Sequence, residues 1–272
     1  MDQKVVIITG ASSGIGKALS QLYVSRGDKV VMAARNEEKL DNLAADFEKQ
    51  GGEVLPVKTD VSKEVDCKNL IDKTLEKFGK IDILINNAGI SMRAMFNETD
   101  LDVIRQLMNV NYWGTVQCTK YALPHVLKQK GSIVGVISIV GHVGLPARTG
   151  YASSKFAIRG FMDTLRIEHL KDGLHVLVAA PGFTESNIRK TALTGDGTEQ
   201  GGTPRNESGM MSSEEVARRI AKAIDKRKRS LILTFTEGKL TVFLGKFFPK
   251  LLDKLTYNHM AKEPNSPLNK NK

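Results

Sequence analysis

Short aliphatic runs alternate with helix-length segments along nearly the whole chain, and this pattern restricts the fold more than any other feature. KVVIIT (4–9), KVVMAA (29–34), EVLPVKTD (53–60), IDILINNAG (81–89), SIVGVIS (132–138), HVLVAAPG (175–182) and SLILTF (230–235) read as strands, about seven in all. Helical patterns fill 14–26, 36–50, 63–78, 101–127, 151–172 and 213–226 between them. The apolar runs are near-continuous rather than alternating, which marks strands buried on both faces. Strands separated by helix-length crossovers form a parallel sheet covered by helices on both sides. The expected fold is therefore α/β, a doubly wound parallel sheet. At 272 residues, one domain with a sizeable core is the simplest division. The body is expected over 1–237, with a flexible substrate loop at 191–211, where Gly, Thr, Asn and Ser dominate.

Between the first strand and the first helix lies TGASSGIG, residues 9–16. Gly10, Gly14 and Gly16 allow a sharp turn in which backbone N–H groups approach a pyrophosphate. Ser12, Ser13 and Ile15 complete the loop, and the helix N-terminus adds the positive end of its dipole. The second strand ends in Ala33–Ala34, where an acid would bind ribose hydroxyls, and Arg35 follows, a residue suited to gripping a 2′-phosphate. The expected cofactor is accordingly NADP(H). Asp60 and Val61 close strand three, where the carboxylate would accept from an adenine amino group. Asn87, Ala88 and Gly89 close strand four with small residues beneath the cofactor. All of these fall at the carboxyl ends of strands, where open α/β sheets bind ligands.

Tyr151 and Lys155 in YASSK stand four apart, one helical turn, so an ammonium sits beside a phenol. Ser138 ends strand five. Taken together, TGASSGIG, NNAG, Ser138, YASSK and Pro181–Gly182 resemble the short-chain dehydrogenase/reductase family, over roughly residues 4–190. The resemblance implies a Rossmann-like fold and an NADP(H)-dependent oxidoreductase acting on a carbonyl or secondary alcohol. In it, Tyr151 is the general acid or base. Lys155 holds the nicotinamide ribose and depresses the tyrosine pKa, and Ser138 holds the substrate oxygen. Asn111 bends the long helix and holds a water that relays protons toward the lysine. Pro181, Gly182, Thr184 and Ser186 are expected against the nicotinamide; Ser186 stands where the family has a threonine, with Thr184 a rival. His142, Val143, Leu145, Pro146 and Arg148, between Ser138 and Tyr151, are expected near the substrate, with Met92, Met95 and Phe96 after strand four.

The net charge of +10 is concentrated late in the chain: 226–229 is a basic block, and 239–272 holds seven lysines against Asp253 and Glu263. Leu240, Phe243, Leu244, Phe247, Leu251 and Leu255 recur at helical steps, widened by Phe248 and Leu252 and flanked by Lys246, Lys250 and Lys254. Pro249 marks a second helical piece. The expectation is a C-terminal amphipathic helical extension over 238–263 and a disordered basic tail over 264–272. The extension packs on protein or docks on an anionic membrane surface; basic residues interleaved with apolar ones do not suit nucleic acid. This tail and TALTGDG after Arg189 resemble a membrane-associated branch of the family, the dehydrogenase/reductase seven group. With lipid contact, the substrate would be an apolar or lipid-like ketone or aldehyde. A non-catalytic NADP(H)-binding or membrane-surface scaffold is the alternative. No signal peptide or membrane-spanning stretch is read, and a cytoplasmic location, peripheral at a membrane, is expected. Cys67 and Cys118 match no metal spacing and read as core thiols; no metal is expected. Pairing through the two long helices near Asn111 and Lys155 would give a homodimer or homotetramer.

Overall fold

A computed structural model describes residues 3–185, 187–203, 209–263 and 265–269. Seven parallel strands form one sheet in the order β3-β2-β1-β4-β5-β6-β7. They are β1 (Val5–Thr9), β2 (Lys29–Ala34), β3 (Val54–Lys58), β4 (Ile83–Asn86), β5 (Ser132–Val136), β6 (His175–Ala180) and β7 (Ser230–Ile232). Because side chains alternate across a strand, Val6 and Ile8 of β1 point to one face and Val5 and Ile7 to the other. The first face is covered by α1 (Gly14–Ser25), α2 (Glu37–Lys49) and α7 (Ser213–Asp225). The second is covered by α3 (Glu64–Phe78), α5 (Gly114–Lys128) and α6 (Thr149–Glu168). The chain reverses direction across the sheet between β1 and β4. That places the β1–α1 loop and the β4 end beside one crevice.

Local chemistry explains where the elements stop. The Asn36 side chain accepts from Lys39 N and starts α2, and Ser212 accepts from Glu215 N to start α7. Gly79 at φ 72 ends α3. The helix expected over 101–127 is instead α4 (Leu101–Leu107), a widened π turn at Met108–Trp113, and then α5. Asn111 lies in that turn, and its carbonyl accepts from the Thr115 hydroxyl at 2.8 Å. The last strand also stops earlier than the run SLILTF implies. Thr234 takes φ 65, and the chain leaves the sheet into a second π turn, Phe235–Leu240. A Cβ on Gly238 in that turn would lie 2.1 Å from Leu233 O, so only glycine closes it.

Cys67 and Cys118, far apart in sequence, meet in the core with their sulfurs 3.5 Å apart. The hydrogen bond to Cys67, together with burial, pushes the Cys118 thiol up. Residues 191–203 are tied to the loop after β4: Leu193 N donates to Ser91 O and Arg93 N to Leu193 O, each at 2.8 Å. Residues 204–208 of the expected substrate loop lie outside the described residues.

The C-terminal extension forms α8 (Thr241–Phe247) and α9 (Pro249–Ala261), broken at Phe248 with Pro249 at the first turn of α9. Of the tail expected to be disordered, 265–269 folds back so that Asn269 Nδ2 donates to Ala261 O at 2.7 Å. Residues 264 and 270–272 lie outside the described residues.

Candidate active site

The β1–α1 loop is built so tightly that its glycines have no substitute. A Cβ on Gly16 would lie 2.1 Å from Gly10 O, and one on Gly10, at φ 66, would lie 2.9 Å from the Ala88 Cα. Asn87 ties the loop to β4, its side-chain amide donating to Thr9 O at 2.9 Å. The Thr9 hydroxyl in turn accepts from the backbone N–H groups of Asn87 and Ala88, each at 3.0 Å. Ala11 N donates to Ala33 O at 3.1 Å, which sets the loop against the end of β2. Arg35 follows on the surface, exposed and in no ion pair among the described residues. The first turn of α1 carries no acidic side chain and Ser13 does not cap it, so nothing of opposite purpose competes for an anion there. Asp60 holds Ser62 through one carboxylate oxygen at 2.7 Å, with Val61 buried behind it against Gly114. These residues fit a dinucleotide laid across the crevice.

At the next strand ends, Ser138 follows β5, and Tyr151 and Lys155 lie on α6. Lys155 is buried, its amine donating to Val136 O at 3.0 Å and lying 5.8 Å from the Tyr151 ring centre. Burial lowers the ammonium's pKa to about 8. The Tyr151 phenol is pushed up, not down: burial dominates, and the Ser138 hydroxyl and the Arg148 guanidinium only partly offset it. Asn111 is fully buried and clamps the loop after β4. Its Oδ1 accepts from Ile90 N at 2.8 Å, and its Nδ2 donates to Ile90 O at 3.0 Å and Ser154 Oγ at 2.9 Å. The clamp presses Gly89 against the site, where a Cβ would meet Asn111 Oδ1 at 3.1 Å and Lys155 Nζ at 3.3 Å.

Ser138, Tyr151, Lys155 and Gly89 share one cavity of about 830 Å³, walled mainly by apolar atoms, with Asn111 behind its lining. Val143, Leu145 and Arg148 line it, as do Ile15, Asn87, Gly89, Pro181, Gly182 and Thr184. Five residues expected near the substrate do not line it. Met92 does not line the cavity: it is wholly buried in a small cluster with Ala94, Val103, Leu107 and Leu193, against which Tyr151 packs, and its carbonyl accepts from Arg148. His142 is not among the residues lining the cavity, and the charges of Arg159 and Asp163 act on its ring. Burial first, then Arg159, lower its imidazole to about 4, and among the described residues neither ring nitrogen has a hydrogen-bond partner. Pro146, Met95 and Phe96 do not line the cavity either. Ser186 lies outside the described residues. Thr184 is buried and held by Gly182 O at 3.2 Å.

Sequence reasoning missed the roof. Leu240, Leu244, Leu252, Leu255, Thr256 and His259 of the C-terminal segment line the same cavity. A nearly inaccessible ion pair, Arg93 to Glu263 at 3.5 Å, fastens the end of that segment to the loop after β4. The helical periodicity of 240–255 was the available signal, but it shows only that a face exists, not what the face meets.

Among the described residues, no helix is long and apolar enough to cross a membrane, and no group of three His, Cys, Asp or Glu could hold a metal ion.

The comparisons with known proteins agree with this geometry. The family model for short chain dehydrogenases matches residues 4–196. Dehydrogenase/reductase SDR family member 7B of Rattus norvegicus is 36% identical over 269 residues, covering 96% of this chain and 83% of that protein. Dehydrogenase/reductase SDR family protein 7-like of Anopheles gambiae is 37% identical over 258 residues, covering 92% and 81%. Among solved structures, a short chain dehydrogenase/reductase from Burkholderia phymatum in complex with NAD superposes with a TM-score of 0.82 at 27% identity, covering 92% of this chain and 95% of that one. An alcohol dehydrogenase from Thermococcus sibiricus complexed with 5-hydroxy-NADP gives a TM-score of 0.74 at 26% identity, covering 85% and 94%. With its crevice, glycine loop and Ser138, Tyr151 and Lys155 around one cavity, the chain belongs to the short-chain dehydrogenase/reductase family of oxidoreductases.

Proposed function

We propose that the protein reduces an apolar ketone or aldehyde with NADPH, and oxidises the corresponding alcohol in reverse. The observation that carries this reading is the shared cavity: Ser138, Tyr151 and Lys155 meet in a space whose surface is mainly apolar, with Val143, Leu145, Leu240, Leu244 and Leu252 among its walls. A bound nicotinamide would supply the hydride for the carbonyl carbon. The chain's own residues handle the oxygen. Ser138 Oγ donates a hydrogen bond to it and Tyr151 Oη delivers the proton, so the charge developing there is met from two directions. A phenol raised by burial keeps its proton at neutral pH, which suits an acid working in the direction of reduction. Once the proton has left, the Lys155 ammonium one turn away favours the phenolate. The same amine would hold the nicotinamide ribose hydroxyls. Asn111 acts at one remove by holding Ile90, and with it Gly89, against that amine.

The preference for NADPH over NADH rests on Ala33 and Ala34 ending β2 without a carboxylate, and on the exposed Arg35 after them. The test is oxidation of NADPH and of NADH by the purified protein with ketones and aldehydes of rising chain length. Turnover rising with apolar length, and far better with NADPH, is expected; equal use of both dinucleotides, or no turnover with any carbonyl, would sink the reading. Arg35→Ala should weaken NADPH about 10–100-fold while leaving NADH unchanged, since charge-assisted hydrogen bonds contribute about 1.5–3 kcal/mol.

The lysine also predicts a pH dependence. Below about pH 8 the free protein already carries Lys155 charged, so binding that needs the ammonium is insensitive to pH. Above it, each binding event must take up a proton, and NADPH affinity should fall about tenfold per pH unit. Fluorescence titration across that range checks it; a flat affinity would mean that the amine is not the group holding the ribose.

A further inference from the structure

The roof over the cavity has a second face that the reaction does not use. Successive residues of an α-helix lie about 100° apart, so α9 can be read around its circumference. Leu252, Thr256 and His259 form the side turned to the cavity. One step round, Phe248, Leu251 and Leu255 are about half exposed, at 54%, 48% and 49%. One step further, Lys250 and Lys254 border them on the surface. On α8, Phe243 and Phe247 lie with ring centres 4.8 Å apart, Phe243 reaches Phe248 at 6.4 Å, and Lys246 sits 5.4 Å from the Phe247 ring centre. The result is one aromatic and aliphatic patch across the kink at Phe248, edged by three lysines. Leu240 and Leu255 belong both to the exposed patch and to the cavity wall, so the patch runs into the cavity.

A folded protein does not leave such a patch open to water without an occupant. The geometry points to an anionic lipid bilayer, met by α8 and α9 with the phenylalanines and leucines in the acyl boundary and Lys246, Lys250 and Lys254 at the headgroups. Two observations favour lipid over a second copy of the chain. Lysine is depleted in protein–protein interfaces yet here edges the patch, and 239–272 carries seven lysines against two acids. The layout also matches an interfacial helix, apolar on one face and basic at its border. The consequence builds on the reductase reading: the cavity would take its apolar substrate from the lipid rather than from water.

The test uses the full chain and reads binding, not turnover, so its failure leaves the reductase reading standing. Co-sedimentation is measured with vesicles of phosphatidylcholine alone and of phosphatidylcholine with phosphatidylserine in equal parts. Binding to the anionic vesicles only, weakened by salt, is expected. The triple variant Lys246→Gln, Lys250→Gln, Lys254→Gln should lose affinity about 100-fold, each lysine near an anionic surface being worth about fivefold. None of the three lines the cavity, so the variant should keep its turnover of a short water-soluble carbonyl. Phe247→Ser, on the exposed rim, should also weaken binding and checks the apolar contribution. No binding, or equal binding to both vesicle types, would overturn the proposal. So would a concentration-dependent dimer abolished by Phe247→Ser, which would give the patch to a second copy of the chain.

Discussion

Tyr151→Phe is expected to lower carbonyl reduction by about 10²–10⁴-fold, the contribution of a positioned general acid. NADPH affinity should hardly change. The ring packs against the apolar cluster of Met92, Ala94, Val103, Leu107 and Leu193 and stays in place without its hydroxyl, so the fold should lose no more than about 1 kcal/mol. Ser138 and Lys155 would remain, but a hydroxyl that only donates a hydrogen bond and an amine engaged with Val136 O do not replace the lost proton donor. Stopped-flow measurement of NADPH oxidation, alongside an equilibrium titration of NADPH, separates the two effects. A variant keeping more than about a tenth of the parent turnover would show that the proton reaches the substrate by another route.

Asn111→Ala is expected to act through the backbone it holds. It removes the partner of both Ile90 N and Ile90 O and leaves Ser154 without the Asn111 amide. Leaving buried polar groups unpartnered costs about 1–3 kcal/mol each, so a stability loss of about 2–4 kcal/mol is expected in denaturant titration. With Ile90 released, Gly89 no longer fixes the position of the Lys155 amine, and NADPH binding should weaken along with turnover. Asn111→Asp separates the two readings. It keeps the acceptor for Ile90 N and loses the donor to Ile90 O, so it should fall between the parent and the alanine variant in both measurements. Full activity in Asn111→Ala would mean that the clamp is structural only.

The two variants also divide what the sequence reveals from what it hides. Tyr151 and Lys155 were readable because their relationship is local: four residues apart on one helix is one turn, whatever the surroundings. The glycines of the β1–α1 loop were readable for a similar reason, since a strand, a tight turn and a helix in succession demand them. Asn111 was legible as a residue that distorts its helix. Its hold on Ile90 was not, because no periodicity connects a helix interior with a loop 21 residues earlier. The meeting of Cys67 with Cys118 was hidden in the same way.

Side-chain direction was the other blind spot. Met92 and His142 stand close in sequence to residues of the site, yet neither lines the cavity: Met92 is buried in the apolar cluster behind Tyr151, and the His142 ring is partly buried outside the lining. A loop's nearness to the chemistry says nothing about which way its side chains face. The raised Tyr151 pKa also depended on tertiary burial, which outweighs the nearby polar groups.

By itself the sequence determined the parallel α/β sheet, the glycine loop at its first turn and the one-turn pairing of Tyr151 with Lys155, because strand burial, turn chemistry and one-turn spacing are short-range rules. Only the tertiary structure decided that the C-terminal segment roofs the same cavity, with Leu252 inside, Leu251 outside and Glu263 fastened to Arg93. An amphipathic stripe specifies that an apolar face must be covered, and packing against the rest of the chain decides which part of it is.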